Sequence, residues 1–589
     1  MARALAERVM ELKGTGVSPG IAVGMSLLVE HDVAPVFRLL VPPEDVEAEV
    51  VRLTRAIEAS ARQLQAIKER MSREVGVPHA YIFDAHLLML EDPLLRDRAV
   101  AIIREEHVNA EWSLRMVAEQ LHALFDAFQD EYLRERSTDL DDVLGRIQLN
   151  LAGTADAPSL SRLPGRFVVV ASGLSPSEAA GLDWERVVAI ATDVGSSTYH
   201  TAIIARSLGI PAVVGLENAT RRIPPGTLVV VDGTRGRVVV EPSGPVLAEL
   251  RQTQERERRE EARLQETRAL PAVTLDGTVV DLRANVEFIE EVATARLYGA
   301  LGIGLFRSEY LLGRARRWPS EEQQIDLYRR LLEQMAPHPV TVRTWDVGLD
   351  EIAPGGPTSR NPALGERALR LLLRFPEPFR TQVRAVLRAR AHGPLRLMFP
   401  FASGPSDLHL ALRLVENVKA ELRREGEAFG EDLPVGLTIE VPSAALTADL
   451  LAKDVDFLSI GTNDLIQYLL AVDRADPRVG ALYQPLHPAV VRTIHNVLRT
   501  AGSTRPVSVC GEMAAHPLQA LLLVGLGVRD LSMAPSAIPR VKAALRAVTL
   551  SGARAAAEAC LELDTETAIE ERLRRELGTA LTAAETTKD

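Results

Sequence analysis

The hydrophobic rhythm of the chain changes three times. From Val46 to Leu151 apolar positions recur with a helical period in four stretches: VEAEVVRLTRAIEASARQLQAIKERM, AYIFDAHLLMLEDPLLRDRAVAIIREE, AEWSLRMVAEQLHALFDAFQ and DEYLRERSTDLDDVLGRIQLNL. Amphipathic segments joined by short connections predict an antiparallel helical bundle over 43–151. Short β-rich runs follow between Arg166 and Val240, namely FVVVAS, RVVAIATD, PAVVG, TLVVVDG and RVVVEP. The Gly-punctuated GTGVSPGIAVG at 14–24 reads as the entry to a strand of the same domain. Residues 1–42 and 152–244 are therefore expected to form one α/β domain with the bundle inserted into it.

Residues 245–268, VLAELRQTQERERREEARLQETRA, are dense in charge and in helix formers, with few apolar positions. A solvated helical linker over 245–270 accounts for them. After Pro271 strand-like runs alternate with helical ones: VVDLRANV, GIGLFRSEY, VTVRTWDVG, LRLMFPFA, VGLTIEVPS, VDFLSIGTND, PVSVCGEMA and VRDLSMAPS. Eight such units predict a (β/α)₈ TIM barrel over 271–575, followed by a tail at 576–589. The fold class is thus α/β and multidomain.

At 589 residues the chain exceeds a single core, in keeping with this division. The net charge of −12 leaves no cationic excess to neutralise phosphates, so nucleic acid is not expected as a partner. No apolar run reaches the length of a membrane span, and MARALAERVMELKG lacks the core of a secretory signal. Two cysteines, Cys510 and Cys560, cannot build a disulfide framework. Cytoplasm is the expected compartment.

His200 follows the small residues of GSSTYH and precedes the helix-like TAIIARSLG. A helix start exposes unpaired N–H groups that favour negative charge, so a histidine there can hold a phosphoryl group. Taken alone, a helix-capping or partly buried structural histidine is the more economical reading. In the barrel, polar residues gather at strand ends: Arg307, Arg343, Glu440, Asn463, Asp464 and Cys510. Any one of them can be a surface ion pair or a buried hydrophobe. Together they fall where barrel active sites form. Guanidinium forks match phosphate and carboxylate oxygens, and Glu440 with Asp464 are hard donors suited to Mg²⁺. The pattern describes a site for a small, phosphorylated acid. G-x-x-x-x-G-K-[ST] is absent, so a P-loop cradle is not expected.

Over nearly its whole length the chain resembles enzyme I of the bacterial sugar phosphotransferase system, the phosphoenolpyruvate–protein phosphotransferase family. The stretches that carry the resemblance include GVSPGIAVG, HLLMLEDP, DEYLRER, HTAIIARSLGIPAVVG, NPALGERALR, LRLMFP, DFLSIGTNDLIQYLLAVDR, CGEMA and SAIPRVK, in the family's order. The resemblance implies a swivelling phosphohistidine domain, an HPr-binding bundle and a phosphoenolpyruvate-binding barrel that forms a homodimer. His200 would take the phosphoryl group from phosphoenolpyruvate and pass it to the phosphocarrier protein HPr. Arg307, Arg343, Arg474, Asn463 and Asp464 would hold phosphoenolpyruvate, with Arg367 near its phosphate. Glu440 and Asp464 would ligate Mg²⁺, and Cys510 would protonate the departing enolate. A thiol with a reference pKa of about 8.5 is mostly protonated at neutral pH and suits that role. Because His200 has two customers, its domain is expected to swing as a rigid body.

The chain departs from the family pattern at Ser197 and Tyr199 beside His200, at Leu349 and Glu351 in GLDE, and at His516 in CGEMAAH. These changes bear on rate, phosphohistidine stability and partner choice. The nucleophile and principal ligands are intact, so an active enzyme is expected. Two alternatives stay open: a relative feeding a nitrogen-related regulatory phosphorelay, and a catalytically weakened HPr-binding regulator. Pyruvate phosphate dikinase and phosphoenolpyruvate synthase share the His domain and barrel. They also need a large nucleotide-binding domain, for which the residues ahead of the linker leave no room.

Overall fold

The structure is a computed structural model. It describes the chain except residues 1–9, 19, 30–35, 75–82, 84–85, 91, 127–130, 154–164, 176–177, 180–181, 195–204, 206–208, 267, 313–317, 353–360, 475–478 and 583–589. The chain divides into two compact units, Met1–Arg258 and Arg259–Asp589. Among the described residues no helix is long and apolar enough to cross a membrane.

The first unit holds a mixed eight-stranded sheet. Its strands are β1 (Met10–Lys13), β2 (Thr15–Ser18), β3 (Ile21–Val29), β4 (Phe167–Ala171), β5 (Val187–Thr192), β6 (Ala212–Val214), β7 (Leu228–Asp232) and β8 (Arg237–Val240), in the order β1-β8-β7-β3-β4-β5-β6-β2. β3, in the first segment, pairs in parallel with β4, in the second, with Met25 opposite Phe167. A parallel neighbour requires a crossover, and the helical bundle is that crossover. Two details differ from the sequence expectation. The run at 14–24 is two strands at separate places in the sheet, divided at Gly20, whose φ of 113° favours glycine. β1 was not expected at all. It is a four-residue edge strand paired antiparallel to β8, with alternation too short to stand out in sequence.

The bundle contains α1 (Val46–Glu74), α2 (Pro93–Glu106), α3 (Ala110–Asp126) and α4 (Glu131–Ala152). Its core includes Leu53, Leu64, Ile103, Leu114 and Ile147. The stretch at 80–106, read as one segment, is interrupted at Asp92. The Asp92 carboxylate accepts the Leu94 N–H at 2.9 Å, and Pro93 takes the first helical position, where its missing N–H costs nothing. The expected linker is helical, as α5 (Gly244–Glu266). Its first turns are not free, however. Leu250, with Val246 and Leu247, packs on Ile21, Val230 and Val239, and the Gln254 amide donates to the Ile21 carbonyl at 2.6 Å.

The second unit is a closed, all-parallel barrel. Its strands are β9 (Asp281–Val286), β10 (Ile303–Arg307), β11 (Val340–Arg343), β12 (Leu395–Phe399), β13 (Val435–Ile439), β14 (Phe457–Ile460), β15 (Val507–Val509) and β16 (Asp530–Met533), with β16 closing on β9. These are the eight runs read from the sequence. Alternate strand residues serve two cores: Leu397 and Phe399 join the large core under the helices, while Met398 packs with Leu305, Phe457 and Cys510. Gly436 is required beside that second cluster, because a Cβ there would lie 2.4 Å from the Phe457 ring. The tail expected from 576 does not begin there. The helix Glu566–Thr582 runs through that point and buries Leu577, Ala580 and Leu581, so apolar spacing carries it further than the charged text implies.

Candidate active site

The C-terminal ends of the barrel strands open into a cavity of about 330 Å³. Arg307, Arg343, Arg367, Glu440, Asn463, Asp464, Arg474 and Cys510, the barrel residues singled out from sequence, all line it. Strand direction explains Arg307, Arg343, Glu440, Asn463, Asp464 and Cys510, which lie at or just beyond the ends of strands that all point the same way. Arg367, the residue preceding the helix Ala368–Arg374, and Arg474, beyond the helix Thr462–Leu470, are brought to the cavity by the longer connections after β11 and β14. His200 lies outside the described residues, together with Ser196, Ser197, Thr198, Tyr199, Ala202, Ile203 and Leu208.

Each arginine meets a carboxylate, and several of these were not foreseen. Arg343, at the end of β11, donates from Nη2 to Glu309 Oε1 at 2.9 Å and pairs through Nη1 with Asp346 Oδ2 at 3.0 Å. Glu309 Oε1 also accepts the Asp346 N–H at 2.9 Å, locking the loop after β11 against the loop after β10. Arg367 reaches Asp346 Oδ1 at 2.8 Å and Asp464 Oδ2 at 3.4 Å. Arg307 pairs with Glu287, and Arg474 Nη2 lies 3.9 Å from Asp464 Oδ1. Asp346 is thus shared by two buried cations. Burial opposes its ionisation, but Arg343 and Arg367 outweigh it and hold the carboxyl below its ordinary range. Glu309 moves the other way: burial raises it more than Arg343 lowers it. Strand-end position was the signal available for Glu287, Glu309 and Asp346. Glu309 and Asp346 fall within GIGLFRSEY and VTVRTWDVG and Glu287 directly follows VVDLRANV, but without geometry an acid beside a strand-end arginine reads as an ordinary surface pair.

Arg367 is held in place by its backbone. Gly348 and Arg367 form an isolated antiparallel bridge, and the Ala368 N–H donates to the Val347 carbonyl at 3.0 Å. Leu349, one of the departures, starts the short helix Leu349–Ile352 and packs against the barrel core. It therefore supports the loop that carries Arg367. The side chain of Glu351 lies outside the described residues. His516 is the residue preceding the helix Pro517–Leu526.

Glu440 and Asp464 approach one another across the cavity. Glu440 is 3% exposed, and its Oε1 accepts the Phe401 N–H at 2.7 Å. A Cβ at Gly461 would lie 2.8 Å from Glu440 Oε2, so only glycine leaves that oxygen its space. Burial, followed by repulsion from Asp346 and Asp464, pushes Glu440 up to about 8. Arg343 offsets this only in part, and among the described residues Glu440 makes no ion pair. Four arginines face five carboxylates around the cavity, and a divalent ion would supply the missing charge. The donors fit Mg²⁺, which takes one or two protein carboxylates and completes its shell with water and substrate oxygens. Among the described residues no three His, Cys, Asp or Glu side chains form a fuller metal site.

Cys510 follows β15 directly and is 6% exposed. Its N–H donates to the Ile460 carbonyl at 3.1 Å, and burial raises the thiol above its ordinary pKa, keeping the proton on sulfur. Gly511 allows this turn, because a Cβ there would lie 1.9 Å from Thr462 Oγ1. Asn463 is engaged reciprocally with Glu512: its amide donates at 3.0 Å and its oxygen accepts the Glu512 N–H at 2.8 Å. That pair ties the end of β14 to the Cys510 turn.

Three family models match along the chain: "PEP-utilising enzyme, N-terminal" over 13–136, "PEP-utilising enzyme, mobile domain" over 163–236, and "PEP-utilising enzyme, PEP-binding domain" over 261–550. The chain is similar to proteins named phosphoenolpyruvate-protein phosphotransferase. One from Cupriavidus necator is 41% identical over 545 residues, covering 90% of this chain and 93% of that protein. The protein from Haemophilus influenzae is 36% identical, covering 95% of this chain and 98% of its own. The Bacillus subtilis protein is 38% identical with the same shares. A closed parallel barrel with arginines, acids and a buried thiol at its mouth, matched nearly end to end by these relatives, places the chain in the phosphoenolpyruvate–protein phosphotransferase family, the enzyme I type.

Proposed function

We propose that this chain transfers the phosphoryl group of phosphoenolpyruvate to His200 and then to the phosphocarrier HPr, as the first step of sugar uptake by the phosphotransferase system. The observation that carries the reading is the barrel mouth, where four arginines, the Glu440–Asp464 pair and a buried protonated thiol surround one cavity of substrate size. Arg307, Arg343 and Arg474 bind the anionic groups of phosphoenolpyruvate, assisted by Asn463, and Arg367 takes the phosphoryl end. Glu440 and Asp464 hold Mg²⁺, which when bound spreads the charge of the transferring group. The P–O bond of the substrate breaks as a P–N bond forms to the His200 imidazole, in line. The bond electrons leave on the pyruvate enolate, whose methylene carbon takes the proton from Cys510 Sγ. Fixed arginines and a low-dielectric site stabilise the departing charge without reorganisation. The protein acts in the cytoplasm as a homodimer joined through its barrels. The bundle at 43–151 receives HPr, while the domain formed by 1–42 and 152–244 swings about its connections and the 245–270 linker.

Incubation with phosphoenolpyruvate and Mg²⁺ should raise the intact mass by one acid-labile phosphoryl group, and chelator should prevent it. His200→Ala should take up none. A label that persists in that variant would refute the assignment.

A further inference from the structure

The residue after the strand-end Pro400 has no assigned part in the reaction, yet three unrelated features of the site meet on it. Phe401 adopts φ 59°, a left-handed conformation that is rare for a bulky aromatic side chain and costs free energy. That conformation aims its N–H at Glu440 Oε1, 2.7 Å away. It also lays the ring beneath two guanidinium groups, with Arg367 Cζ 4.9 Å and Arg370 Cζ 4.8 Å from the ring centroid. Tyr468 meets the same ring edge-on at 5.7 Å. The Tyr468 hydroxyl donates to the Ala363 carbonyl at 2.6 Å and accepts from Arg367 Nη1 at 3.4 Å. Phe401 itself is 2% exposed.

We infer that Phe401 is a positioning residue: its backbone aims Glu440, its ring fixes the plane of Arg367, and it thereby sets the Glu440 carboxylate and the phosphoryl-binding guanidinium relative to one another. The inference rests on the proposed function only in taking Arg367 as a phosphoryl ligand. Arg367 donates from Nε and Nη2 to Asp346 Oδ1 and from Nη2 to Asp464 Oδ2, contacts made from the N–H edge of the fork and not through its face. A π-face below it restrains the tilt of the guanidinium, since the ring's negative face attracts the cation across its whole surface. The left-handed backbone is what allows one residue to perform both tasks. With an ordinary φ, the N–H and the ring could not serve Glu440 and Arg367 together. Arg370, whose Nη1 donates to the Leu364 carbonyl at 3.2 Å, adds a second cation over the ring.

The test separates ring from backbone. Phe401→Gly keeps the left-handed conformation and the N–H to Glu440 but removes the ring, Phe401→Leu removes the π-face alone, and Phe401→Tyr retains it. Binding of inorganic phosphate and of pyruvate to the full chain is measured by calorimetry beside the KM and kcat for phosphoenolpyruvate. Loss of a desolvated cation–π contact predicts phosphate binding weakened by about 5- to 30-fold in Phe401→Gly and Phe401→Leu. Pyruvate binding should change less than 2-fold and Phe401→Tyr should restore phosphate binding, a split that general loosening of the site would not give. Wild-type phosphate affinity in Phe401→Leu, or equal loss of pyruvate and phosphate binding, overturns the inference. Arg367→Gln distinguishes the two levels: if it leaves phosphate binding intact, the proposed role of Arg367 fails, whereas weakened binding there with no effect at Phe401 refutes only the positioning role.

Discussion

Asp346 should be the most costly single charge to remove from the barrel mouth. Its side chain is 5% exposed and serves Arg343 at 3.0 Å and Arg367 at 2.8 Å. Asp346→Asn keeps the shape and removes the charge. Arg343 then retains Glu309 at 2.9 Å, but Arg367 is left with Asp464 at 3.4 Å. Breaking a buried pair on one side costs about 3–5 kcal/mol, and the low end applies here because both cations keep another partner. At about 2 °C per kcal/mol for a domain of this size, the barrel should melt roughly 6 °C lower. Calorimetry of the full chain reads this directly, with the barrel transition identified as the one that phosphoenolpyruvate raises. The depressed pKa of Asp346 fixes the sign with pH. Its stabilisation is complete above the ordinary aspartate value of about 4 and is lost as pH falls through the lowered one, so the gap between the proteins stays open at pH 6 and narrows only in acid. Inorganic phosphate should restore more stability to the variant than to the wild type, because it supplies the missing negative charge. Equal melting temperatures at pH 6 would refute the view that Asp346 acts as a charge.

Cys510→Ala should bind phosphoenolpyruvate normally but form pyruvate about 10²–10⁴-fold more slowly, the usual weight of a general acid; unchanged turnover removes the thiol from the reaction. Glu287 occupies the Arg307 guanidinium, and both side chains are more than 40% exposed. Such a pair is worth about 0–1 kcal/mol, so Glu287→Gln should lower the KM for phosphoenolpyruvate by about 2- to 5-fold, and a raised KM would show that Glu287 assists binding rather than competing with it. The Lys542 ammonium donates to the Arg268 carbonyl at 2.6 Å, and burial, then Arg546, lowers it to about 8. The folded barrel therefore sheds this proton before the unfolded chain does, and stability should rise with pH between about 8 and 10. Urea midpoints at pH 7.5 and 9.5 should show that rise in the wild type and not in Lys542→Met.

The sequence by itself determined the order of elements, because each is written in the burial period of its own residues. Period 3.6 in VEAEVVRLTRAIEASARQL makes α1, and eight short apolar runs separated by helical text make β9 to β16. It also placed Arg307, Arg343, Glu440, Asn463, Asp464 and Cys510 at the barrel mouth, since parallel strands of a closed barrel deliver their C-terminal ends to one rim, but not the acids Glu287, Glu309 and Asp346 that line it with them. Only the tertiary structure decided how those residues are paired. Asp346 lies three residues after Arg343 in a loop with no periodicity, and it gains its second cation from Arg367, which another loop brings across the rim. The left-handed backbone of Phe401 leaves no trace in FPFAS, because the neighbours that stabilise it are distant in sequence. Short or docked pieces were decided the same way: β1 exists because β8 offers it an edge, and α5 docks through Leu250 because the sheet beneath it is apolar. Local period fixes what a segment becomes, whereas pairing, strain and pKa depend on which distant groups the fold sets against it.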